Sequence, residues 1–269
     1  FNAHNSGDQK AVILALHGAG GHPLLFRRTS ELDVAASGFA TVLFLAAERH
    51  GRLSRWNWQR PEDHDFLYTI IDSMIQGGIK TEDIYIVGMS NGGCLAQFFA
   101  TTSGLKLGGI GTVCSAMPIY DSTIWDKGQK ENSPNKVFLA NALNDPIIPY
   151  GGGQTESDAS YEVLSHQETL NHWNLRMHSR VTSTAKSSVA ANMLTLEAVQ
   201  CQYFTSEQSD HKLLSLTSFG TRHCWDLIEQ SPDRKRSQQR VGRRWASVQG
   251  QSQRRTPRIS EMIVRYMFN

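Results

Sequence analysis

The chain has 269 residues, 39% of them hydrophobic, with 22 glycines, the composition of a globular protein of one large or two ordinary domains. Its net charge of +2, from 27 basic and 25 acidic side chains, excludes a dedicated nucleic-acid binder. Its longest apolar run, Phe39 to Ala47, is interrupted by Thr41 and falls far short of the roughly 18 residues of a membrane span, so a soluble chain is expected.

Four cysteines, at 94, 114, 201 and 224, show neither CxxC nor any other metal-ligand spacing, and no metal is expected. The chain opens on Phe1, which predicts a processed or trimmed N-terminus. Nine of the basic residues lie between Arg234 and Arg258 with no acid among them, so the remainder carries 18 basic against 25 acidic side chains.

In chain order, Ala11 to Leu16 reads as a buried strand, followed by a Gly-rich turn and a short helix near Phe26 to Ala36. Ala40 to Leu45 is a second strand. From Asp65 to Ile75, the residues Phe66, Leu67, Ile70, Ile71, Met74 and Ile75 share one helix face, and Gly77 and Gly78 stop the helix. Asp83 to Val87 is predicted as a strand, Cys94 to Thr101 as a helix, and Ile110 to Met117 and Lys136 to Leu143 as further strands. A polar loop opens at Gly151-Gly152-Gly153, and Tyr161 to Leu175 is read as helical. Leu194 to Phe204 and Leu213 to Leu216 follow as late strands.

The stretch at about 231–255 is rich in Arg, Gln and Ser, with Val241, Trp245, Ala246 and Val248 as its few apolar residues, and reads as a solvated basic insertion. It is expected to contact anionic polymers at low salt. Thr256 and Pro257 then open a last helix, with Ile259, Met262, Ile263, Tyr266 and Met267 on one face. This order predicts a single α/β domain over 1–269, a mainly parallel central sheet with helices on both faces.

Gly88-Met89-Ser90-Asn91-Gly92 matches the G-x-S-x-G nucleophile elbow, with a predicted strand before it and a predicted helix after it. In that setting the Ser90 hydroxyl stands above the sheet at a helix N-terminus. A serine needs a histidine to take its proton and a carboxylate to orient the histidine, in the chain order serine, acid, histidine. Asp145, after the next-but-one strand, is the acid, with Asp121 as the alternative. Only His211 and His223 lie both after the acid and beside the last predicted strand. His211 precedes that strand and His223 follows it, which places His223 at the serine's edge. His166, His172 and His178 are read as solvated or locally bonded.

His17-Gly18-Ala19-Gly20-Gly21 follows the first strand, and its Ala19 N–H, with that of Asn91, is the candidate oxyanion hole. The loop lacks GxGxxG and the Walker lysine, so no nucleotide is expected. Trp56, Trp58 and Trp225 are candidates either to line a substrate pocket or to pack in the core.

With these residues placed, the chain resembles the polyhydroxybutyrate depolymerase and feruloyl esterase group of the α/β-hydrolase superfamily, over about Ala11 to Leu227 and again at the final helix. The resemblance rests on the His17 and Gly88 segments and on Trp56-Asn57-Trp58-Gln59 with Asp65-Phe66-Leu67. Asn144-Asp145 with Pro149-Tyr150-Gly151-Gly152, and His223-Cys224-Trp225, complete it. It implies a Ser90, Asp145, His223 triad acting on an ester, small or polymeric, such as a feruloyl or aryl ester or a hydroxyalkanoate polyester. It also implies no cofactor and a secreted or periplasmic location. A peptidase or amidase, or a catalytically idle binding protein, remains open on the same fold. Two departures stand out: Gly220-Thr221-Arg222 precedes the histidine where the family is glycine-rich, with Asp226 in place of a proline, and the basic stretch is foreign to the group.

Overall fold

The computed structural model describes residues 11–50, 53–119, 132–156, 158–177, 179–183, 199–206, 211–218, 225 and 258–268. The strands are β1 (Ala11–Leu16), β2 (Ala40–Leu45), β3 (Arg49–His50), β4 (Leu53–Ser54), β5 (Ile84–Met89), β6 (Gly109–Val113) and β7 (Lys136–Ala142). After these come β8 (Gly153–Thr155), β9 (Asp158–Val163), β10 (Ser179–Ser183), β11 (Val199–Ser206) and β12 (Lys212–Ser218). The helices are α1 (Pro23–Ser30), α2 (Leu32–Ala35), α3 (Pro61–Gln76), α4 (Asn91–Thr102), α5 (His166–Arg176) and α6 (Ile259–Phe268).

The main sheet runs β10-β11-β12-β7-β6-β5-β1-β2. From β12 to β2 all neighbours are parallel, whereas β10, β11 and β12 pair antiparallel. The inner parallel strands β1, β5, β6 and β7 are buried nearly throughout, as a sheet covered on both sides requires. Val12, Leu14 and Leu16 join one core with α3, α4 and α5; Ile13 and Ala15 join the other with α1, α2 and α6. Helix α4 is buried over nearly its whole circumference, with every residue from Asn91 to Thr101 inside, so it forms the centre of the first core. Among the described residues no helix is long and apolar enough to cross a membrane.

Several predicted boundaries change for local reasons. The helix expected over Phe26 to Ala36 is broken into α1 and α2 at Glu31, which takes φ 50°. The strand expected to reach Met117 stops at Val113, because Cys114 turns to φ 49°. Tyr161 to Val163, read as helical, belongs to β9, in which buried Tyr161 and Val163 flank exposed Glu162. Helix α5 starts only after Ser165, whose side chain and that of Glu168 form a reciprocal capping box. The late strand expected from Leu194 is described from Val199 onward, and the 231–255 stretch, with Thr256 and Pro257, lies outside the described residues. Arg258 is described and pairs with Glu31 at the break between α1 and α2.

Trp173 of α5 has no exposed surface and donates its indole N–H to Gln97 of α4 at 3.0 Å. Trp173→Ala should therefore lower unfolding free energy by about 3–5 kcal/mol in urea titrations. Leu175→Ala, at a position 69% exposed, should stay within about 0.5 kcal/mol.

His166 offers a second check. Burial pushes its pKa down from 6.5 to about 4, so between those values the unfolded chain binds the proton more readily than the folded one. Its contribution is complete above pH 6.5 and is lost as pH falls toward 4, by about 2 kcal/mol at pH 5. The stability difference between pH 7.5 and pH 5 should accordingly be smaller in His166→Gln than in the parent.

Candidate active site

The carboxyl ends of β1, β5, β6, β7 and β12 share one edge of the sheet, fixed by the pairs Leu16 with Gly88, Met89 with Val113, Val113 with Ala140, and Ala142 with Ser218. Ser90 sits on that edge between β5 and α4, 7% exposed, with φ 51° and ψ −122°. A non-glycine residue there carries roughly 1–3 kcal/mol of backbone strain, so the surroundings must enforce it. They do so through backbone contact. A Cβ on Gly88 would lie 2.4 Å from the Gly92 carbonyl oxygen, and one on Gly92 would lie 2.5 Å from the carbonyl oxygens of Leu16 and His17. Strand, turn and helix therefore cross at distances only glycine allows. Ser90 donates its N–H to Val113 O at 2.9 Å, and its own carbonyl accepts the N–H of Cys94, the first helical bond of α4.

Gly18 reaches the serine from β1: a Cβ there would stand 3.3 Å from Ser90 Cβ and 3.9 Å from its Oγ. The His17 ring braces this loop. Its Nε2 accepts the Ala47 N–H at 3.2 Å, which leaves Nδ1 to donate to Gly18 O at 2.7 Å, and burial lowers the ring's pKa, so this neutral form persists. Ala19 is exposed in the turn closed by Gly21 N–H on Gly18 O. Asn91 opens α4, where a backbone N–H has no intrahelical acceptor. Asn91 thus adjoins Ser90 in the chain, and Ala19 follows Gly18, which lies against the Ser90 side chain.

The Asn91 side chain has a task that sequence reasoning missed. Its Oδ1 accepts the Trp56 N–H at 2.7 Å and its Nδ2 donates to Trp56 O at 2.9 Å, while the Trp56 indole donates to His17 O at 2.9 Å. The elbow, the His17 loop and the Trp56 segment are locked together. Trp56 has no exposed surface, which assigns it to packing rather than to a pocket wall. Trp225 is likewise core: it is 3% exposed, packs edge-on against Phe26 with ring centroids 5.0 Å apart, and donates to Ser260 of α6. Trp58, 4% exposed, packs at 4.4 Å against Tyr161 of β9, over whose ring the Arg55 guanidinium lies.

Asp145 follows β7 at the same edge, 9% exposed, and its Oδ1 accepts the N–H groups of Ile147 at 2.8 Å and Ile148 at 3.0 Å. The alternative acid, Asp121, lies outside the described residues, as does His223. His211 precedes β12, bonded to Met177 O at 3.2 Å. It is separated from the serine's edge by the seven-residue length of β12, about 20 Å. His166 and His172 are buried or half-buried and locally bonded, to Ser215 and Thr101 respectively.

This sheet, with a serine elbow after β5 and an acid after β7, has the α/β-hydrolase fold. The sequence profile described as phospholipase/carboxylesterase matches residues 61–190. Acyl-protein thioesterase 1 of Emericella nidulans is 29% identical over 121 residues, 44% of this chain and 50% of that protein. The Aspergillus fumigatus protein of the same name is 31% identical over 118 residues, 43% of this chain and 48% of that protein. The chain therefore spans about half the length of these curated relatives. An acetyl xylan esterase from Aspergillus awamori superposes over 79% of this chain and 83% of its own with a TM-score of 0.53 at 12% identity, a likeness of fold.

Asn91→Ala removes two bonds and leaves the buried Trp56 peptide groups without their partners. It should destabilise the chain by about 1–3 kcal/mol in denaturant titrations.

Proposed function

We propose that this chain hydrolyses carboxylic esters through an acyl-serine intermediate. The observation that carries the reading is Ser90 held at φ 51° on the strand-to-helix turn, with Gly18 against its side chain. Ser90 Oγ attacks the ester carbonyl while a histidine takes its proton, and His223 is the candidate. The tetrahedral oxyanion is received by the N–H groups of Ala19 and Asn91. Collapse breaks the bond to the leaving group, which takes the histidine's proton. Water then attacks the acyl-serine with the same histidine as base, releasing the acid and restoring Ser90. Asp145, oriented by Ile147 and Ile148, holds the histidine's tautomer.

The matched profile and the relatives' names support ester chemistry, and the thioesterases among them add acyl thioesters to the feruloyl, aryl and hydroxyalkanoate esters. A panel of these substrates ranks them. Ser90→Ala should abolish labelling by a fluorophosphonate and lower ester turnover by several orders of magnitude. Labelling that persists in Ser90→Ala overturns the reading. His223→Ala should match that loss of turnover while His211→Ala retains it, and the opposite ranking would move the base.

A further inference from the structure

The loop bearing Asp145 is tied to β12 at both ends. Ahead of the acid, Leu143 donates its N–H to Ser218 O at 2.7 Å. Within the loop, the Asp145 carboxylate accepts from Ile147 and Ile148, so its direction follows the path of the chain from 147 to 150. At the far end the Tyr150 hydroxyl meets Thr217 Oγ1 of β12 at 3.0 Å. The Tyr150 carbonyl accepts the His166 N–H at 2.9 Å, and its ring stacks on the His166 imidazole, with centroids 4.6 Å and planes 25° apart. His166 Nε2 in turn lies 2.9 Å from Ser215 Oγ, two residues before Thr217 and on the same face of β12. Gly152, at φ 78°, closes a turn onto Pro149 O, and a Cβ there would stand 2.5 Å from Ser165 N at the start of α5.

Resting on the ester-hydrolase reading, we propose that Tyr150 is a positioning residue: its hydroxyl, through Thr217, keeps the Asp145 loop in register with β12, the strand that leads toward the candidate base. The Ile147 and Ile148 N–H groups aim one carboxylate oxygen, and that aim is only as firm as the chain carrying them. Leu143 fixes one end to β12, and Tyr150 fixes the other one residue earlier on the same strand. Cutting the hydroxyl tie leaves Tyr150 on His166 and the Ile147 carbonyl on the Glu156 N–H, but removes the bond that sets the register of the segment against β12. The cost falls on turnover, because a misplacement of about 1 Å in a catalytic array lowers rate by up to about a hundredfold while leaving ground-state binding intact. Burial raises the Tyr150 pKa, so the hydroxyl keeps its proton throughout the neutral range.

The test uses Tyr150→Phe, which removes the hydroxyl alone, and Thr217→Val, which removes its partner. Each should lower kcat on a soluble ester by roughly tenfold with KM within about twofold, and the double variant should fall no further than the singles. Amide hydrogen exchange gives a readout independent of catalysis: Ile147 and Ile148 should exchange faster in Tyr150→Phe while the amides of β7 keep their protection. Unchanged exchange at Ile147 and Ile148, kcat losses that multiply in the double variant, or a matching rise in KM would overturn the proposal. A parent protein that neither labels with fluorophosphonate nor hydrolyses any ester would overturn the ester-hydrolase reading alone, and the exchange measurement would still decide the clamp.

Discussion

The structure depends on how closely the first turn of α4 approaches the end of β1. The Gly92 Cα lies against the carbonyl oxygens of Leu16 and His17 with no room for a methyl group. That contact, with Gly88 passing under the same turn, holds the chain on the tight path in which Ser90 takes φ 51°. Once the turn is forced, Ser90 faces the loop that continues β1, and the first-turn N–H groups of α4 point toward the same space. The site is thus an outcome of packing two glycines, and the strain at one residue is offset by the burial of a whole helix.

Where a segment's fate is decided by its own residues, the sequence was readable. The hexamers of β1 and β2 match their predicted spans: β1 is buried almost throughout, and β2, though a half-buried edge strand, is an apolar run broken only by Thr41. The antiparallel edge was harder. Strand β10, Ser-Arg-Val-Thr-Ser, contains a single apolar residue and exists because β11 supplies its ladder. The two-residue strands β3 and β4 give no periodicity at all. Ahead of α5 the local signal is present: the Ser165-to-Glu168 spacing marks where the helix begins, leaving Tyr161 to Val163 to β9.

For the site, residue type and chain order placed Ser90 and Asp145 at one edge, and the position of His211 ahead of β12 separated it from them. What could not be read were the attachments. The elbow motif marks Asn91 for its backbone N–H, yet its amide side chain joins the elbow to Trp56, 35 residues earlier. The sequence presents His17 as part of a loop motif, yet its ring supports that loop from both nitrogens. Such bonds depend on which loops meet in three dimensions, and nothing local encodes the meeting. The tryptophans illustrate the same limit: a flat ring suits a pocket wall or a core equally, and only the packing around Trp56 and Trp225 decides.

Helix α6 covers the sheet face formed by strands made long before it. Its Met267 carbonyl accepts the Lys136 ammonium across 131 residues, Ile263 and Met267 press on Gly111 of β6, and Ser260 bonds the carbonyl of Ser30. During synthesis α1 and α2 therefore reach this face well before α6, and the part of it at Gly111 and Phe138 gains its cover last. The face is complete only once the chain has been made as far as residue 267, so its closure is a late step of folding.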